Sequence, residues 1–226
     1  MKYQWILFDA DETLFHFDAF AGLQRMFEGY GISFSKEQFI EYQLVNKPLW
    51  VQYQDNEITA QQLQEIRFEY WANEVGVTPK AMNTAFMMAM AEICTPLDGA
   101  KALLDSLLVS NVKMGIITNG FTELQKIRLE KTGFSHYFEL ITISEQVGVA
   151  KPDKRIFEHT FSMMGEIELS NILMVGDNPD SDVLGGMNAG IDTCWLNASQ
   201  QACPEGVEPT YTVKTLNDLQ ELLHSV

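Results

Sequence analysis

Positive charge is in short supply: 15 lysines and arginines stand against 31 aspartates and glutamates, a formal net charge of -16 over 226 residues. Such a surface repels nucleic-acid backbones and anionic lipid, which excludes a general polynucleotide binder. A small anionic substrate is admitted only with a metal or a local basic group. Cysteine is scarce too. Cys94, Cys194 and Cys203 are odd in number and widely scattered, which suits reduced thiols rather than a disulfide framework and predicts a cytoplasmic protein. Long apolar runs are missing: none approaches the roughly 18 residues needed to span a bilayer. Met1-Lys2-Tyr3-Gln4 runs directly into a short apolar strand before a signal-peptide core could form, so no secretion signal or membrane contact is expected. Asn197-Ala198-Ser199 therefore carries no weight as a glycosylation acceptor. Repeats, low-complexity tracts and flexible linkers are absent as well. What remains is a globular chain, 46% hydrophobic, large enough for one domain with a sizeable insertion.

The first apolar run, Ile6-Leu7-Phe8, is too short and too apolar to be anything but a buried strand, and it ends in two carboxylates, Asp9 and Asp11. Two such charges about 4 Å apart repel by roughly 4 kcal/mol at an effective dielectric near 20. The site should therefore contain a cation. After Phe15 the pattern turns helical. Phe20, Leu23, Phe27 and Tyr30 recur at helical spacing; a capping box, Ser35 with Gln38, opens a helix burying Phe39, Tyr42 and Leu44 or Val45. A second box, Thr59 with Gln62, predicts one longer helix with Leu63, Ile66, Tyr70 and Trp71 on one face, ending at Gly76. Thr78-Pro79 starts another through Met82, Phe86 and Ile93. From Thr95 helices alternate with apolar strands at 112–118, 138–144, 172–175, 193–196 and 211–213. Continuous apolar strands separated by helices indicate a Rossmann-like α/β fold, a parallel sheet covered by helices on both faces. The all-helical segment is an insertion after the first strand. Residues 1–16 and 94–226 form the α/β part and residues 17–93 a helical cap.

In open parallel sheets ligands bind at the carboxyl ends of the strands. Those ends here carry Asp9 and Asp11, then Thr118-Asn119-Gly120, then Lys151-Pro152, then Gly176-Asp177 with Asp180 and Asp182. Taken singly, each has an ordinary explanation as a turn, a helix cap or a solvated loop. Their recurrence at successive strand ends does not. Asp9 and Asp177 offer hard oxygen ligands for Mg²⁺. Thr118, Asn119 and Gly120, with the amides of the helix starting at Phe121, suit a phosphate, and Lys151 adds a point charge.

These residues resemble the four motifs of the haloacid dehalogenase superfamily of phosphohydrolases: Asp9-Ala10-Asp11-Glu12-Thr13, Thr118-Asn119-Gly120, Lys151-Pro152, and Gly176-Asp177 with Asp182. The helical insertion sits where that superfamily places its cap. A closer resemblance, through DADETLF, Asn46-Lys47-Pro48-Leu49-Trp50, IITNGF, SEQVGVAKP and MVGDN, is to the bacterial pyrimidine 5'-nucleotidases, which remove phosphate from dUMP, dTMP, UMP and non-canonical pyrimidine nucleotides. The resemblance implies a Mg²⁺-dependent phosphatase, with Mn²⁺ or Co²⁺ able to substitute, acting on a small phosphate monoester as a monomer or small homo-oligomer. It implies Asp9 as nucleophile, Asp11 as general acid and base, Thr118 and Lys151 as holders of the transferring group, and a metal between Asp9, the Asp11 carbonyl and Asp177. Asp182 orients Lys151 or a metal-bound water, with Asp180 its competitor. Phe17, Asn46, Lys47, Trp50 and Tyr53 are candidates for reading the base. Rival readings are a sugar-phosphate or other small-metabolite phosphatase, a true dehalogenase, which lacks an acid at the position of Asp11, and a silent phospholigand-binding protein.

Overall fold

The computed structural model describes residues 2–226. Six parallel strands form one sheet: β1 (Trp5–Phe8), β2 (Lys113–Thr118), β3 (Leu140–Ile143), β4 (Ile172–Gly176), β5 (Asp192–Leu196) and β6 (Tyr211–Val213), in the order β3-β2-β1-β4-β5-β6. Every residue of β1 is buried, as its lack of alternation requires. Strand order runs outward from β1 in one direction and from β4 in the other. The crevice where connections diverge therefore lies beyond the carboxyl ends of β1 and β4. Phe8 pairs with Val175 in register, so the residues that follow these two strands leave the sheet side by side.

By its internal contacts the chain divides into two compact units. One takes the chain up to His16, Thr95–Gly120 and Thr132–Val226; it holds the whole sheet. The other takes Phe17–Cys94 together with Phe121–Lys131 and is helical throughout. Its helices are α1 (Ala19–Glu28), α2 (Lys36–Gln54), α3 (Ala60–Ile66), α4 (Glu69–Val75), α5 (Pro79–Ile93) and, apart from its last residue, the later α7 (Thr122–Thr132). The sheet unit carries α6 (Ala100–Val109), α8 (Ser144–Val147), α9 (Lys154–Met164), α10 (Leu184–Ala189) and α11 (Leu216–Ser225).

Local chemistry explains the starts. Ser35 and Gln38 close a reciprocal capping box at α2, as do Thr59 and Gln62 at α3, and Thr78 caps α5 with Pro79 in its first turn. Helix α7 is tied to the rest of its unit by Lys131, whose ammonium donates to the Ala91 carbonyl at 3.0 Å and also to the Glu92 carbonyl, at the end of α5. A cation there complements the helix terminus.

Two expectations fail in the helical unit. The single helix predicted from Thr59 to Gly76 breaks into α3 and α4, because Phe68 leaves helical geometry at φ -112° and ψ 0°. The break rotates the apolar stripe: Ile66 and Tyr70 are exposed, whereas Arg67 and Phe68 turn inward. On α2, Leu44 and Val45 are exposed rather than buried; the inner face is Tyr42, Leu49 and Tyr53. Pro48 sits within α2 without ending it.

Candidate active site

Asp9 leaves β1 with its amide still bonded to the Val175 carbonyl of β4 at 2.8 Å, so the sheet itself aims the residue into the crevice. Asp177 follows the last residue of β4 in the same way. Asp182 reaches the crevice through a π-helical turn, Pro179–Val183, which Asn178 caps by accepting from the amides of Asp180 and Ser181. Gly176 makes room for it. A Cβ on Gly176 would lie 2.1 Å from Asp182 Oδ2, so only glycine fits there.

Lys151 is the hub. It follows the loop after α8, its peptide bond to Pro152 is cis, and its side chain is 1% exposed. Its ammonium donates to Asp9 Oδ1 at 2.6 Å, Asp182 Oδ1 at 2.6 Å and the Ile117 carbonyl at 2.7 Å, which uses all three protons. Asn119 holds the lysine backbone at two points: it accepts from the Lys151 amide at 2.8 Å and donates to the Lys151 carbonyl at 3.0 Å. Thr118, buried, accepts the Gly120 amide at 3.0 Å. Asp11 lies half-buried on a bridge to Phe15. Asp180 is exposed, and only its amide takes part in the turn.

The charges do not balance. Carboxylate oxygens of Asp9, Asp177 and Asp182 all lie within 4.8 Å of one another, against the single ammonium of Lys151. Burial, with Asp182 and Asp9 beside it, pushes the Asp177 carboxyl up to about 8, and Lys151 offsets only part of this. Burial and Asp9 likewise raise Asp182, to about 6, against the pull of Lys151. Burial works against the charge on Lys151 itself, yet Asp182 and Asp9 hold its pKa above that of an ordinary lysine. Three carboxylates and one ammonium fit a divalent cation. Both oxygens of Asp182 are already engaged, Oδ1 by Lys151 and Oδ2 by the Asn178 amide at 3.0 Å, whereas Asp177 has no cationic partner among the described residues. Asp9 and Asp177 are thus the better placed ligands.

The candidates for base recognition belong to the helical unit. Asn46, Trp50 and Tyr53 share the inner side of α2, where the Tyr42 hydroxyl donates to Asn46 Oδ1 at 3.3 Å and Trp50 packs at 5.9 Å from Tyr53 and 5.4 Å from Phe121. Lys47 is exposed, on the side of Ile40, Leu44 and Val51; Phe17 is half-buried. Three contributors to the strand-end cluster escape sequence reasoning. Asn178 stands in the MVGDN stretch with no role assigned to it there, and the Ile117 carbonyl acts through backbone geometry that no motif records. Trp195 on β5 donates its indole N–H to the Asp177 carbonyl at 2.8 Å, although nothing in its neighbourhood signals this.

Residues 3–190 match the model of the haloacid dehalogenase-like hydrolases. The chain is 57% identical over 223 residues to the pyrimidine 5'-nucleotidase YjjG of Escherichia coli, covering 99% of both, and 33% identical to the pyrimidine 5'-nucleotidase PynA of Streptococcus pneumoniae, covering 99% of this chain and 96% of that one. Among solved structures, the magnesium-bound HAD-hydrolase YfnB of Bacillus subtilis superposes with a TM-score of 0.85 at 28% identity, over 99% of each chain. With its strand-end carboxylates, its buried lysine and a sheet of this order, the chain belongs to the haloacid dehalogenase-like hydrolases.

Proposed function

We propose that this protein is a cytoplasmic phosphatase that hydrolyses pyrimidine nucleoside 5'-monophosphates, dUMP, dTMP, UMP and non-canonical analogues among them. The observation that carries the chemistry is the Lys151 ammonium locked between Asp9 and Asp182 beside Asp177. Likeness to two pyrimidine 5'-nucleotidases along nearly the whole chain supports the substrate.

In this reading a carboxylate oxygen of Asp9 attacks phosphorus, and the bond from phosphorus to the ribose oxygen breaks as Asp11 gives that oxygen its proton. Asp11, now a carboxylate, takes a proton from water while the water oxygen attacks phosphorus. The Asp9–phosphate bond breaks, phosphate leaves, and Asp9 and Asp11 return to their starting states. Lys151 attracts the transferring oxygens as a point charge and Thr118 donates its hydroxyl to them, with Asn119 keeping Lys151 in place and the Gly120 amide nearby. Asp182 orients Lys151. Mg²⁺, with Mn²⁺ or Co²⁺ as substitutes, would be held by Asp9, Asp177 and the Asp11 carbonyl, and supplies when bound the positive charge that lets an anionic phosphate approach several carboxylates. Residues 1–16 and 94–226 serve as the catalytic part and residues 17–93 as the cap, whose Phe17, Asn46, Lys47, Trp50 and Tyr53 read the base.

The test is a screen of the purified protein against nucleoside monophosphates and sugar phosphates, with and without Mg²⁺, alongside Asp9→Asn. The expected result is Mg²⁺-dependent release of phosphate from deoxypyrimidine monophosphates that falls to background in Asp9→Asn. Sugar phosphates turned over while dUMP and dTMP stay inert would overturn the substrate; undiminished turnover by Asp9→Asn would overturn the nucleophile.

A further inference from the structure

Arg67 lies at the break between α3 and α4 and is 4% exposed, yet no carboxylate pairs with it among the described residues of a chain holding 31 acids. Its Nε donates to Asn83 Oδ1 at 3.2 Å, and Nη2 donates to the same oxygen. Its guanidinium carbon sits over three rings, at 5.1 Å from Phe68, 5.1 Å from Phe121 and 5.4 Å from Phe86. Asn83 is itself buried and is fixed by donating to Gln64 Oε1 at 3.4 Å. Leaving a guanidinium buried without an anion is costly. The aromatic cage returns part of that cost. A carboxylate at position 83 would offset far more. It would also cancel the charge and occupy more of the donors, five N–H groups that the Asn83 amide oxygen and the Tyr42 hydroxyl beside it do not fill.

The arrangement keeps a positive, donor-rich plane in reserve, and its neighbours indicate for what. Phe121, one wall of the cage, is also the ring that half-exposed Trp50 packs on, at 5.4 Å and 31°, and Asn46 stands one turn before Trp50 on α2. A flat ring to lie against Trp50, bearing carbonyl oxygens to accept from a guanidinium, matches this set. We propose that Arg67, oriented by Asn83, is a specificity-determining residue that donates to the C4 carbonyl oxygen of a pyrimidine-2,4-dione base stacked on Trp50. The inference rests on the nucleotidase reading above. It goes further in predicting discrimination: uracil and thymine present an acceptor at C4, whereas cytosine presents an amino donor there, which a second donor repels.

The experiment compares kcat/KM for dUMP, dCMP and 2-deoxyribose 5-phosphate in the wild type, Arg67→Met and Asn83→Asp, with a thermal melt of each. Asn83→Asp covers the case in which Arg67→Met fails to fold, because it pairs the guanidinium in place and is expected to raise Tm while consuming the donors. The wild type is expected to favour dUMP over dCMP. Both variants are expected to lower the ratio of dUMP to 2-deoxyribose 5-phosphate by at least about tenfold, mainly through KM for dUMP, and to bring dUMP and dCMP together. An equal loss on all three substrates, or an unchanged ratio, overturns the role of Arg67. A wild type that hydrolyses 2-deoxyribose 5-phosphate but no nucleotide overturns the nucleotidase reading instead.

Discussion

Lys151 shows how much a single side chain organises. It joins Asp9, 142 residues upstream, to Asp182, 31 residues downstream, through a buried ammonium. Removing one partner of such a buried pair leaves charges uncompensated. Lys151→Met is therefore expected to cost about 3 to 5 kcal/mol in a urea melt without added cation, and less when a divalent cation is present. Gly176→Ala should act from the other side. Its methyl must displace Asp182, at a cost of about 1 to 3 kcal/mol, and turnover should fall with it because Lys151 loses its orienting partner. Asp177 gives the site a pH dependence. Its carboxyl is raised to about 8 in the folded protein from an ordinary 3.8, so between those values the folded state holds a proton that the unfolded state has lost. Through this group the cation-free protein becomes less stable as pH rises from about 4 to about 8. The same proton must leave for a cation to bind. Calorimetry near pH 7 in buffers of different ionisation enthalpy should detect proton release on Mg²⁺ binding, and affinity should weaken as pH falls below 8. Binding that is independent of pH across that range would refute the account.

At the scale of elements, the helical unit departs most from its periodicity, and each departure has a local cause. Helix α2 runs through Pro48, which cannot donate to the Leu44 carbonyl, on a solvent-facing stretch where Leu44 is 72% exposed. Pro48→Ala restores the bond and should stabilise the protein by about 1 to 3 kcal/mol. By changing the course of the helix beyond it, the substitution should also move Trp50, which a change in KM for nucleotides but not in kcat would register. The α3–α4 break has the opposite character. A stripe of Leu63, Ile66, Tyr70 and Trp71 is legible as a helix face, yet burying Arg67 and Phe68 between Asn83, Phe86 and Phe121 outweighs that pattern. No propensity favours an arginine for a core. Only partners distant in sequence make it tolerable there.

For the whole molecule, the excess of 16 negative charges sets a background repulsion that salt screens over about 10 Å at 0.1 M. Tm is expected to rise between about 10 mM and about 150 mM NaCl; a fall would mean that specific ion pairs outweigh the background. Much of the site was legible along the chain, because most of its pieces follow a strand end and strand ends are marked by apolar runs that stop in polar residues. The carboxylates at 9, 11 and 177 and the polar loop at 118–120 are of this kind, while Lys151 comes further on, after β3 and α8. Asp182 and Asp180 were not separable in the same way, since both are acids just after a strand, and the choice falls to a π-helical turn that brings one oxygen to Lys151 and the other to the Asn178 amide. By itself the sequence determined the parallel sheet, the helical segment after β1 and the acid pair ending that strand, since hydrophobic period and strand-end chemistry are local properties. Tertiary structure alone decided which acid engages the lysine, which way α3 and α4 turn, and that a buried arginine would go without a carboxylate. Those outcomes depend on desolvation and on contacts between residues far apart in the chain, which no local pattern encodes.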